Sequence, residues 1–86
     1  MDPVLEAWRS LRRRLEDDAR SLAGEVRAYP GPIARCDDQL PALIARRTDA
    51  YAALREAEAL DREREALGDA EWRARVTALL ARHASP

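Results

Sequence analysis

Cys36 and His83 are the single thiol and the single imidazole of this chain, so nucleophilic or metal chemistry would have to begin with them. A thiol becomes a nucleophile when a neighbouring base or a positive environment turns it into a thiolate. The base would have to be His83, which lies far along the chain with no third group beside it to orient the ring. A helix N-terminus near Cys36 would favour the thiolate, but Asp37 and Asp38 beside it oppose the charge. Cys36 is therefore read as a packing residue. His83, in the last turn of a helix, is read as a positive complement to that helix end. Metal binding needs two or more Cys or His at finger or helical spacing, and a di-iron bundle needs Glu-x-x-His; the sequence has neither. Glu63 and Glu65 belong to a charged surface run, and no glycine-rich phosphate loop occurs. These residues predict a protein with no catalytic site, no cofactor and no metal.

The charges are numerous but balanced. Fifteen basic residues, all arginine, face sixteen acids, for a formal net charge of −1. Residues 1–29 carry six Arg against six acids, residues 30–60 four against five, and residues 61–86 five against five. A nucleic-acid or anionic-membrane binder usually shows a basic imbalance on one segment, and none is visible here. The triplet Arg12, Arg13, Arg14 is followed by Glu16, Asp17 and Asp18, which reads as a solvated i,i+4 salt-bridge face. A lone cysteine excludes an internal disulfide framework and suits a reducing compartment. The longest apolar run is the six residues from Leu40 to Ala45, and no leader pattern is readable. The expectation is a cytoplasmic protein with no membrane attachment.

The elements carrying these residues are helical. Val4, Trp8, Leu11, Leu15, Ala19, Leu22, Val26 and Tyr29 recur at steps of three or four, the spacing of one helix face. Asp2 and Pro3 supply a cap and a first-turn proline, so a first helix is predicted over about 3–29. Pro30-Gly31-Pro32 removes two backbone donors around a flexible residue and sets a turn over 30–37. A second helix follows over about 38–67, with Asp37 or Asp38 as cap and Pro41 in the first turn; a start at Pro32 would instead put Pro41 inside the helix and kink it. Gly68-Asp69 reads as a C′ glycine followed by an N-cap, and a third helix over about 69–83 carries Trp72, Val76, Leu79 and Leu80 on one face.

A short turn makes the first two helices antiparallel, giving an all-α hairpin with a shorter third helix. Centring the turn near Gly31 to Ile33 sets positions summing to about 66 opposite one another. Val26 then meets Leu40, Leu22 meets Ile44, Leu15 meets Tyr51, and Leu11 lies near Leu54. The same register brings Asp18 level with Arg47 as a candidate ion pair. The third helix spans roughly 22 Å and the first about 40 Å, so it can cover only one end of the hairpin. Folded back, it brings Trp72 and Leu79 near Trp8; extended, it exposes Trp72, Val76, Leu79 and Leu80 as a patch that needs another chain. Either way the chain is short of buried surface. A homo-oligomer is therefore expected, most simply a dimer forming a four-helix, coiled-coil-like core.

The function expected is that of a non-catalytic interaction or scaffold module working through self-association. Its candidate surface comprises Tyr29, Pro30, Gly31, Pro32, Cys36, Asp37 and Asp38 at the turn, with Trp72, Val76, Leu79 and Leu80 on the third helix. One alternative is a DNA-binding regulator, with Gly68-Asp69 as the turn of a helix-turn-helix and Trp72, Arg73, Arg75, Thr77 and Arg82 on the reading helix. Against it, the turn is short, the second helix is too long, and Asp69 and Glu71 stand where phosphates should approach. In length and helical class the chain is similar to the small dimeric chorismate mutases, whose sites hold a dicarboxylate between several arginines and a lysine. That resemblance would imply an enzyme, but this chain has no lysine and Pro30-Gly31-Pro32 interrupts what should be a continuous first helix.

Overall fold

Asp2 starts the first helix as its sequence position suggests: its carboxylate accepts from the backbone N–H groups of Val4 at 3.1 Å and Leu5 at 3.4 Å. In a computed structural model, which describes residues 2–29 and 39–84, helix α1 spans Pro3–Ala28. It ends where Tyr29 turns extended (φ −60°, ψ 131°), the conformation that a following proline imposes. Helix α2 spans Gln39–Arg62, so Pro41 falls in the first turn, where its missing N–H costs nothing. Glu63 interrupts the helix and the short α3 (Arg64–Leu67) follows. Gly68, at φ 80° and ψ 161°, then redirects the chain into α4 (Asp69–His83). Gly68 itself occupies the cap position of α4. Asp69, expected there, is instead the first helical residue, and its carboxylate holds Arg73 one turn on.

Helices α1 and α2 run antiparallel. Trp8 and Arg12, early in α1, bond Asp61, late in α2, while Ala23 and Arg27 share a groove with Arg47 and Thr48. The Trp8–Asp61 bond corresponds to a level sum of about 69 and the Arg12–Asp61 bond to a larger one, against the 66 that the turn suggested. Extended along straight helices, the register of the Trp8–Asp61 bond makes Leu54 level with Leu15. The α2 positions turned toward α1 are then Leu43, Arg47, Ala50, Leu54 and Ala57, and Tyr51 and Ile44 move to the flank. Both are 37% exposed. The Asp18–Arg47 ion pair does not form: Asp18 lines a groove with Arg14 and His83, and Arg47 lies in the groove with Arg27 and Tyr51. Arg47 keeps its seam position half-buried, as a long side chain can when its stem covers apolar surface.

Helix α4 folds back over one end of the hairpin. Trp8, Leu11 and Leu15 from α1, Ala57 and Leu60 from α2, and Trp72, Val76 and Leu79 from α4 form one buried cluster. The indole rings of Trp8 and Trp72 meet edge to face, 6.1 Å between centroids and 83° between planes. Ala57 is fully buried within this cluster of three helices. The Trp72 indole N–H donates to the Leu60 carbonyl at 3.1 Å, close to the interruption at Glu63. Trp72, Val76 and Leu79 are therefore internal, and Leu80 is half-buried against the same cluster. They do not form the exposed patch an extended third helix would have offered, because Gly68 turns α4 onto the hairpin.

Candidate interaction surface

Among the described residues no group of three or more His, Cys, Asp or Glu side chains is gathered as a metal would require. None of the helices among the described residues is long and apolar enough to cross a membrane. Pro30, Gly31, Pro32, Cys36, Asp37 and Asp38 lie outside the described residues. Tyr29 is half-buried at the end of α1, its N–H donating to the Val26 carbonyl at 3.3 Å. The His83 carbonyl accepts from Arg14 at 2.9 Å, so the last turn of α4 is tied to α1. Its imidazole Nε2 is buried without a hydrogen-bond partner.

The arginines divide sharply between the two sides of the hairpin. On the side covered by α4, cations are neutralised within the chain. Arg73 donates to both Asp2 and Asp69, Arg75 to Glu71 at 3.2 Å, and Arg82 to Glu56 at 2.7 Å. The hydrogen bond from Arg73 holds the Asp2 carboxyl down to about 2, and the bond to Glu56 raises the already high pKa of Arg82. The cations that a DNA-reading α4 would have used are therefore committed to acids of this chain.

On the opposite side most are not, although Arg20 pairs with Asp17 at 3.6 Å. Arg9, Arg13, Glu16, Arg20, Ala23 and Arg27 follow at steps of 4, 3, 4, 3 and 4 along α1. Arg9 and Arg27 are eighteen residues apart, five full turns, so they point in the same direction. Arg9 and Arg13 line a cleft of about 600 Å³ that reaches Trp72 and Arg64, and Arg27 lines a groove of about 490 Å³ with Arg47, Tyr51 and Arg55. The shared α1 stripe makes these two successive stretches of one face. A matching stripe on α2 runs Ile44, Thr48, Tyr51, Arg55, Glu58 and Arg62, again at steps of three and four.

Among the described residues, six guanidiniums on this face, those of Arg9, Arg13, Arg27, Arg47, Arg55 and Arg62, form no ion pair or hydrogen bond, and the one unpaired acid of the two stripes is Glu58. Arg64 lies over the Trp72 ring at 4.2 Å from its centroid, a cation–π contact rather than a charge pair. The acids nearest the cleft, Asp61 and Glu16, are both taken by Arg12. Arg12 still leaves its Nε buried with no partner. Of the salt bridges the Arg12–Arg14 run suggested, Arg12–Glu16 forms, and Arg13 and Arg14 make none with Asp17 or Asp18. The basic face was not visible in the segment totals, which count charge along the chain. Its signal is the four-three spacing of arginine on α1, which sorts charge by direction.

Comparison of the chain with protein-family models, with curated proteins and with solved structures finds no match.

Proposed function

We propose that the protein is a non-catalytic helical interaction module whose working surface is the face of the α1–α2 hairpin opposite α4. The observation that carries this reading is the missing third layer. Helix α4 spans roughly 22 Å against about 39 Å for α1, and it lies on one side only. Among the described residues the two large apolar side chains left exposed, Ile44 and Tyr51, both lie on the α2 stripe of the open face. A helix laid between the two stripes would cover them and complete a bundle.

A second copy is one source of that helix, and self-association through the open face is directly testable. Two such faces present like charges to each other, so the dimer should be weak at low salt and strengthen as salt screens the guanidiniums. Light scattering over a wide range of protein and salt concentration reads this directly. The expected result is a reversible dimer at high concentration and high salt that Ile44→Asp with Tyr51→Asp removes. A monomer under every condition, or a dimer indifferent to both substitutions, overturns self-association through this face.

A further inference from the structure

We infer that the open face is built to take an acidic amphipathic helix from another protein. A partner of this kind presupposes that the open face is the docking surface proposed above, and it adds the chemistry of the occupant. The complement is set by what lies unpaired. Arg9, Arg13 and Arg27 on one rim and Arg47 and Arg55 on the other make no ion pair, while Ile44 and Tyr51 supply apolar surface between them. Arg9 and Arg13 are like charges one helical turn apart, which a carboxylate between them would relieve. From Arg9 to Arg27 the rim runs about 27 Å, the length of a helix of roughly 18 residues. A helix with a narrow apolar seam flanked by Glu or Asp would match both the rims and the floor.

Two other occupants fit less well. A second copy brings arginine to arginine. A nucleic-acid duplex would use the guanidiniums but keeps its base faces stacked out of reach of Ile44 and Tyr51, and a chain of net charge −1 offers it no long-range attraction.

The test uses the full chain and a labelled synthetic helix of roughly 21 residues with a leucine and alanine seam flanked by glutamates. A second peptide carries lysine in place of every glutamate. Anisotropy titrations at low and high salt read the affinities, and backbone amide shifts in the chain read the location. At low salt the acidic peptide should bind at least about tenfold more tightly than the basic one, with the gap narrowing as salt rises. Shifts should follow the stripe from Arg9 to Arg27. Arg13→Glu with Arg27→Glu, both exposed and away from the core, should invert the preference, whereas Arg75→Glu on the α4 side should leave it unchanged.

Equal binding of the two peptides at the open face would overturn the acidic partner and leave the interaction-module reading standing. Binding of the acidic peptide elsewhere on the chain would overturn both. Tighter binding of a short duplex DNA than of the acidic peptide, lost in the same double variant, would make the face a nucleic-acid interface and overturn the inference.

Discussion

The indole N–H of Trp8 donates to the Asp61 carboxylate at 2.8 Å, joining the start of α1 to the end of α2 across 53 positions of sequence. The other carboxylate oxygen of Asp61 binds Arg12. One acid thus satisfies a core tryptophan and anchors a half-buried guanidinium, and it fixes the level at which the two helices meet. Asp61→Ala should leave the indole N–H without its acceptor and Arg12 with Glu16 alone, and lower stability by about 1–3 kcal/mol in urea unfolding. Trp8→Phe should reduce the further loss caused by Asp61→Ala, since it removes one of the two groups that need the carboxylate. Full additivity of the two substitutions would show that the bond contributes nothing of its own.

Much of this fold was legible in the spacing of apolar residues, and the part that was not has a definite physical origin. The α1 stripe, the Asp2 cap and the break at Gly68 are local features, decided within a few residues. The register between α1 and α2 is not local. It depends on Trp8 reaching Asp61, and a turn-centred estimate missed it by three positions or more, enough to move Tyr51 from the seam to the flank. The candidate surface was harder still. Trp72, Val76 and Leu79 have the composition of an interface, yet the same composition serves a core once α4 folds back. The basic face was hidden because Arg73, Arg75 and Arg82 find acids within the chain while Arg9, Arg13 and Arg27 do not, a distinction that segment totals average away.

Gly68 and Gly24 offer a controlled contrast. At φ 80° and ψ 161°, Gly68 occupies a region that residues with a Cβ scarcely enter, and a Cβ added there would meet nothing within 4 Å. Gly68→Ala should therefore cost about 1–3 kcal/mol through backbone strain alone. Gly24 lies inside α1, and a Cβ added there would come no nearer than 4.0 Å, to an Arg27 guanidinium nitrogen. Gly24→Ala should stabilise by about 0.5–1 kcal/mol, since it removes conformational freedom from the unfolded chain. Thermal unfolding of the two variants should move in opposite directions; equal shifts would refute the strain at Gly68.

Acid should expose the bond between the two ends of the cluster. The Asp2 carboxyl is held down to about 2, from an ordinary 3.8, chiefly by the hydrogen bond from Arg73. A group that is a stronger acid in the fold stabilises it above the unfolded pKa, and the stabilisation drains away as pH falls from about 4 to about 2. Asp2→Asn retains a capping side chain and removes the charge. The stability gap between the two proteins should be constant near neutrality and close over that acid range. The absence of any gap near neutrality would mean that Asp2 acts only as a cap, with Arg73 contributing nothing.

Stability and interaction should separate cleanly on α2 and α4. Leu79 is 4% exposed within the cluster, and Leu79→Ala would leave a cavity worth about 2–5 kcal/mol, a large share of what a domain this small can possess. Ile44 and Tyr51 lie on the open face with 37% of their surface exposed, and their replacement by Ser should cost far less, nearer the roughly 0.5 kcal/mol of a surface change. If these two positions serve docking, Ile44→Ser and Tyr51→Ser should weaken association while leaving the urea midpoint almost unmoved. A pair of substitutions that unfolds the chain as readily as Leu79→Ala would assign Ile44 and Tyr51 to the fold of the single chain, and the open face would lose its claim to a partner.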